Sequence, residues 1–267
     1  MLYEFMHDGV KLSYYDQGGG GTPLVFQHGL TGDHQQTVTS FLNKDYRLIT
    51  LECRGHGGSE LGPAAELGIG TFVADLNALL THLDIRQAAF AGISMGAAIA
   101  ANYAARYPGC VTHLASVRPA WLDGSCPDNM LVFGAAADFL DLHGPERGKE
   151  MFVRSTVYQT LLSKSPDNAS SLAAIFDKVG TKARDMVALL RAVLTSDPGL
   201  DIPALSRQSI PTRVLATDND AVHPLELAKR LADLLPQAEY VELYPKSLDK
   251  DRHIHELTDA IVRLCRQ

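Results

Sequence analysis

Cysteine is scarce and scattered in this chain. Cys53, Cys110, Cys126 and Cys265 stand at no C-x-x-C spacing, which excludes a zinc knuckle and a dithiol redox pair and fits free thiols in a reducing compartment. No cluster of Lys and Arg occurs either. With 24 basic against 31 acidic residues and a net charge of -7, the chain lacks the basic stripe that displaces counterions from nucleic acid. No apolar run nears the roughly 20 residues that span a bilayer. The start Met1-Leu2-Tyr3-Glu4-Phe5 has neither the basic nor the apolar region of a signal peptide. The expectation is a cytoplasmic protein without a nucleic-acid or membrane partner. Internal repeats and low-complexity segments are also missing. What is present is an ordinary globular composition, 46% hydrophobic and 21% charged over 267 residues, which suits one large α/β domain with an insertion or two small domains.

Within that composition one motif carries chemistry. Ala91-Gly92-Ile93-Ser94-Met95-Gly96 follows the short apolar run Gln87 to Ala91 and opens into the alanine-rich helical pattern Ala97 to Tyr107. A G-x-S-x-G pattern by itself is common. Between a strand and a helix it becomes a tight turn that exposes a serine hydroxyl, because glycine neighbours let the backbone fold sharply. Ser94 is therefore the candidate nucleophile. A serine that merely caps the next helix is the structural alternative.

The rest of the chain alternates strand and helix signals. A hairpin is predicted from Leu2 to Tyr15 around the turn Asp8-Gly9. Further strands are predicted at Pro23–Gln27, Tyr46–Leu51, Cys110–Val117, Thr212–Ala216 and Glu239–Leu243, and helices at Thr71–Leu83, Pro224–Leu235 and Ile254–Leu264. From about Asp123 to Ala204 strand signals cease and helical patterns replace them. The fold class expected is α/β: a mostly parallel central sheet flanked by helices, with a core of residues 1–122 and 205–267 and a helical cap of residues 123–204.

A serine hydroxyl needs an imidazole to take its proton and an acid to orient that imidazole. In parallel sheets such residues lie in loops after strands. Asp220, after Thr212–Ala216, is the preferred acid, with Asp218 its competitor. For the base, His253 and His255 follow the last strand. His253 lies on the flank of the buried stripe Ile254, Leu257, Ile261 and Leu264, whereas His255 points away from it, so His253 is preferred. His28, His34 and His223 stand near loop ends without metal-ligand spacing, and the pair His253-x-His255 lacks the companion ligands of a metal site. Glu52, Arg54 and His56 read as residues that pin loops.

These pieces together resemble the α/β-hydrolase fold family: His28-Gly29, Arg54-Gly55-His56-Gly57-Gly58-Ser59, Gly92-Ile93-Ser94-Met95-Gly96, Asp220 with Pro224 following, and a late histidine, in that order. The chain is similar in particular to the small-esterase, enol-lactonase and cofactor-free haloperoxidase branch. The resemblance implies Ser94 as nucleophile, His253 as base, Asp220 as its orienting acid, and an oxyanion hole from the backbone N–H groups of Leu30 and Met95. It departs from the family at Arg252-His253, where a G-H pair is usual. The implied activity is cleavage of a small carboxylic ester, lactone or thioester through an acyl-enzyme, without metal or organic cofactor. C–C bond hydrolysis, perhydrolysis and a non-catalytic ligand-binding homologue are the alternatives. A small-molecule acyl substrate is the expected partner, and a homodimer is left open.

The cap is expected to select the substrate. Trp121, just after a strand, His28 and the cap residue Phe133 are the candidate substrate contacts. Met130, Phe139, Phe152, Tyr158 and Phe176 have the helical spacing of packing residues. An apolar lid would favour a fairly hydrophobic ester.

Overall fold

Two residues of positive φ, Asp8 at 47° and Gly9 at 75°, turn the chain between strands β1 (Leu2–His7) and β2 (Val10–Asp16), as the D-G signal predicts. The computed structural model describes residues 1–267, the Thr181 side chain excepted. After the hairpin come β3 (Thr22–Gln27), α1 (His34–Ser40), β4 (Tyr46–Leu51), α2 (Ile69–His82), β5 (Ala88–Ile93), α3 (Met95–Arg106) and β6 (Val111–Val117). Four helices then follow one another, α4 (Leu131–Arg154), α5 (Thr156–Lys164), α6 (Pro166–Lys178) and α7 (Ala183–Thr195). The chain returns to the sheet through α8 (Ile202–Ser206), β7 (Thr212–Thr217), α9 (Leu225–Leu234), β8 (Ala238–Leu243) and α10 (Lys250–Leu264).

The strands form a single sheet in the order β1-β2-β4-β3-β5-β6-β7-β8. Pairs β1–β2 and β2–β4 are antiparallel and all later pairs are parallel. Strand period sorts the core into two layers. Leu24, Phe26, Ala89, Ala91 and Leu215 face α1 and α10 on one side. Val25, Phe90, Leu114 and Val214 face α2, α3 and α9 on the other. With five strands parallel to β5, the loops after β3, β5, β6, β7 and β8 leave one edge of the sheet, the edge where such sheets bind ligands.

The helices between β6 and β7 lie over that edge. Inside α4, Gly144 takes φ 72° and Pro145 follows, so the run is two helical pieces joined by a kink. Phe139, Phe152, Tyr158 and Phe176 pack on one another, with Phe152 at 5.3 Å from Tyr158 and 5.4 Å from Phe176 between ring centroids. These aromatics are the insertion's own core. The last helix begins at Lys250 rather than Ile254, because Asp249 caps it by accepting the Arg252 N–H at 3.0 Å. No helix among the described residues is long and apolar enough to cross a membrane.

Candidate active site

Ser94 stands between the end of β5 and the first turn of α3 with φ 57° and ψ -112°, a conformation that costs about 1–3 kcal/mol for a residue with a side chain. The surroundings hold it there. Its N–H donates to Val117 O at 2.9 Å, and its carbonyl accepts the Ala97 N–H at 2.9 Å. Glycine is required on both sides. A Cβ on Gly92 would run into the Gly96 carbonyl, and one on Gly96 into the Gln27 carbonyl, so only bare backbone lets strand, turn and helix close this tightly.

The loop after β3 brings a second set of groups to Ser94. Gly29 comes so near that a Cβ on it would sit 3.5 Å from the Ser94 Cβ. The loop is tied down at several points: the Gly29 N–H donates to Gln36 Oε1 at 2.7 Å, the Thr31 N–H to His56 Nε2 at 3.2 Å, and the Cys53 N–H to His28 Nε2 at 3.1 Å. Both imidazoles are fully enclosed, and burial pushes them below the ordinary histidine range, His56 to about 3. Neutral rings are what these acceptor roles need. Neither the Leu30 N–H nor the Met95 N–H has an acceptor among the described residues, and Leu30 lines the cavity beside Ser94.

The imidazole that meets Ser94 is His223. Its Nε2 lies 2.9 Å from Ser94 Oγ and its Nδ1 2.7 Å from Asp220 Oδ1. Both residues sit in the loop after β7, where the His223 N–H donates to the Asp220 carbonyl at 3.2 Å and closes a turn. Asp220, expected to orient His253, stands instead against the imidazole of His223. His253 is bonded elsewhere. It occupies the first turn of α10, buried as its helical phase suggests, but its Nδ1 donates to Tyr244 O at 2.8 Å. His255 is exposed. The reason for the difference is the early start of α10, which winds His253 into the helix and leaves the end of β8 to Pro245 and Lys246. One signal in the sequence pointed to His223: a histidine three residues after the acid, in the same loop and just before Pro224.

Arg118, at the end of β6, completes the cluster. Its Nε donates to Asp220 Oδ2, and its Nη2 lies 3.2 Å from His223 Nδ1. Only one partner can use Nδ1 at a time. With the Nδ1 proton donated to Asp220, Nε2 is free to accept the Ser94 hydroxyl proton; with Nδ1 accepting from Arg118, the proton sits on Nε2 and the base is lost. The shorter contact is the one to Asp220. Burial by itself would raise the Asp220 carboxyl, but His223 and Arg118 outweigh it and hold the group well below the usual carboxylate range. Burial, helped by Arg118 and opposed by Asp220, lowers the His223 imidazole. The resting pair is thus carboxylate and neutral imidazole.

Ser94 and His223 open onto a cavity of about 480 Å³. The loop after β3 and α1 form one wall, and α6 forms another with Asp167, Asn168, Ser170, Ser171 and Lys178. That wall is mostly polar, with Leu172 and Ala174 the apolar exceptions, in place of the apolar lid expected from the sequence. Of the candidate substrate contacts, Phe133 lines the cavity. Trp121 is buried away from it, and His28 is enclosed with both ring nitrogens engaged, Nδ1 donating to Gly29 O at 2.8 Å. The start of α6 also grips the loop that carries Asp220 and His223: Ser165 Oγ donates to Asn219 O at 2.7 Å, and Asn168 Oδ1 accepts the Val222 N–H at 3.0 Å.

The loop-pinning residues behave as expected. Glu52 accepts from the Gly58 N–H at 2.7 Å and from His34 Nδ1 at 2.6 Å. Arg54 makes a two-pronged pair with Asp75 at 2.9 and 3.0 Å. Among the described residues no three His, Cys, Asp or Glu side chains converge in a metal-binding arrangement.

Residues 22–247 match the family model described as the alpha/beta hydrolase fold. The chain is 29% identical over 252 residues to a non-heme chloroperoxidase of Kitasatospora aureofaciens, covering 87% of this chain and 86% of the relative. Among solved structures, the enol-lactonase of Burkholderia xenovorans superposes with a TM-score of 0.76 at 22% identity over 99% of this chain and 100% of that one. A thermophilic esterase of Thermogutta terrifontis gives 0.72 at 21% identity, covering 99% of each chain.

Proposed function

Since the chain belongs to the α/β-hydrolase family, we propose that it is a serine hydrolase cleaving a small carboxylic ester, lactone or thioester, with Ser94 as nucleophile, His223 as base and Asp220 as the acid that orients it. The observation that carries this reading is the chain of contacts from Ser94 Oγ through His223 to Asp220 at 2.9 and 2.7 Å. In the first step Ser94 Oγ attacks the acyl carbon while His223 Nε2 takes its proton. The tetrahedral oxyanion points at the N–H groups of Leu30 and Met95, each worth about 3 kcal/mol to the transition state. His223 returns the proton to the leaving oxygen or sulfur, and the acyl-enzyme remains. Water, deprotonated by the same nitrogen, then attacks and frees the carboxylic acid. Asp220 keeps its charge throughout and holds the Nδ1 proton. The helical insertion acts as a cap that closes the cavity over Ser94.

The test is a comparison of His223→Ala with His253→Ala on a chromogenic short-chain ester. The expected result is a loss of at least about 10³-fold in kcat for His223→Ala and retained turnover for His253→Ala. Loss in His253→Ala alone would return the base to the last helix. A serine-directed phosphonylating probe that leaves Ser94 unmodified in the folded protein would overturn the nucleophile.

A second reading draws on the chloroperoxidase relative. Hydrogen peroxide would replace water as acyl acceptor, so that the acyl-enzyme releases a peracid and regenerates the Ser94 hydroxyl. Halide oxidation dependent on both a short carboxylic acid and peroxide, and abolished by Ser94→Ala, is its signature.

A further inference from the structure

Five charged side chains border the cavity, and four of them have a local role. Asp33 caps α1 by accepting the Gln35 N–H at 2.8 Å. Arg118 is committed to Asp220. Asp167 stands in the first turn of α6, where a helix N-terminus favours a carboxylate, and Lys178 in its last turn, where a cation is favoured. The fifth, Lys246, is different. It lies just beyond β8, half-buried, on the same cavity as Ser94 and His223 and on the narrow crevice behind Asp220. Among the described residues no carboxylate lies within ion-pair distance of it, and it donates no hydrogen bond.

Its surroundings make that isolation costly. Asp167 and Asp220 line the same crevice, but neither reaches ion-pair distance, and the two oxygens of Asp220 are already taken by His223 and Arg118. Burial pushes its pKa down and Arg118 and Lys250 repel the ammonium, while Asp167 and, less strongly, Asp220 attract it from beyond contact. A half-buried cation with no partner is relieved by an anion supplied from the cavity itself.

We infer that Lys246 anchors a carboxylate carried on the acyl portion of the substrate, which makes the substrate class an anionic ester or lactone, such as a half-ester of a dicarboxylic acid. This rests on the serine-hydrolase reading above. The acyl carbonyl sits between Ser94 and the Leu30 and Met95 N–H groups, and the distal carboxylate reaches across to the Lys246 ammonium. The mostly polar α6 wall accommodates the chain between them.

Two nitrophenyl esters that differ only in charge test the inference: the glutarate half-ester with a free carboxylate, and its neutral methyl ester. The wild type is expected to prefer the free acid in kcat/KM by about ten- to hundredfold, the worth of one charge-assisted hydrogen bond. In Lys246→Met that ratio collapses by the same factor, and in Lys246→Arg it is retained. A wild-type preference for the neutral ester, or a ratio unchanged in Lys246→Met, overturns the inference. Calorimetric titration of glutarate into the Ser94→Ala protein, with and without Lys246→Met, gives a readout that does not need turnover. Binding weakened tenfold or more without Lys246 supports the anchor, and equal affinity overturns it. Should the wild type hydrolyse neither ester, the hydrolase reading falls while glutarate binding still decides the role of Lys246.

Discussion

Replacing Arg118 by Met removes a cation from the far side of the imidazole that touches Ser94, and the sign of the effect on pH dependence is fixed by geometry. A histidine acts as base only while neutral, so kcat/KM falls as pH drops through the His223 pKa, which lies below 6.5 in the intact site. Arg118 Nη2 is 3.2 Å from Nδ1 and disfavours the imidazolium. Without it the imidazolium keeps Asp220 and loses its repulsive neighbour, so the pKa rises. At an effective dielectric constant of about 20, a unit charge at about 4 Å contributes roughly 4 kcal/mol. Water entering the vacated space takes up about half of that, leaving ~2 kcal/mol, or about 1.5 pH units. The acid limb of kcat/KM on a nitrophenyl ester, followed at the isosbestic wavelength of the leaving group, should therefore move up by one to two units, where "unit" is tenfold in proton activity. Arg118→Lys keeps the charge and should leave the limb near its wild-type position. A limb that stays fixed in Arg118→Met, moves to lower pH, or moves equally in both variants refutes the electrostatic role.

Asp220→Asn should lower kcat by about 10⁴-fold with the fold intact by circular dichroism, since an amide offers its own protons to Nδ1 and favours the wrong tautomer. Gly96→Ala should cost at least about 3 kcal/mol in urea unfolding, because the added methyl meets the Gln27 and His28 carbonyls, which are backbone and cannot move aside. Acid should destabilise the protein through His56. Its folded pKa of about 3 lies below the unfolded value of 6.5, so the unfolded chain binds the extra proton and stability present above 6.5 is lost as pH falls towards 3, roughly 5 kcal/mol in all. His56→Gln, which keeps an acceptor for the Thr31 N–H, should flatten that part of the urea-midpoint profile.

Much of this architecture was legible because it is written in local patterns. The D-G turn, the alternation of β3 and the glycines flanking Ser94 each encode their geometry within a few residues. The rule that parallel strands deliver side chains at one edge points to Asp220, which lies in the loop after β7. His253 was read with the right helical phase, being buried where His255 is exposed, yet burial said nothing about which group it would meet. That depended on the Asp249 cap, which starts α10 early, and on a turn in another loop that brings His223 to Asp220. The cavity's polarity was hidden for a similar reason. Helical spacing marks which cap residues face inward, and Phe139, Phe152 and Phe176 turned inward onto each other, while Ser170 and Ser171 faced the site.

The grip of Ser165 and Asn168 on the loop bearing Asp220 and His223 divides the machinery into two pieces with different mechanical fates. Ser94 sits at the end of β5, tied to the sheet through Val117, but His223 and Asp220 are tethered to the helical insertion. Warming that loosens the insertion first will carry imidazole and carboxylate away together while the sheet still stands, so the proposed hydrolase activity is expected to go silent before the protein melts.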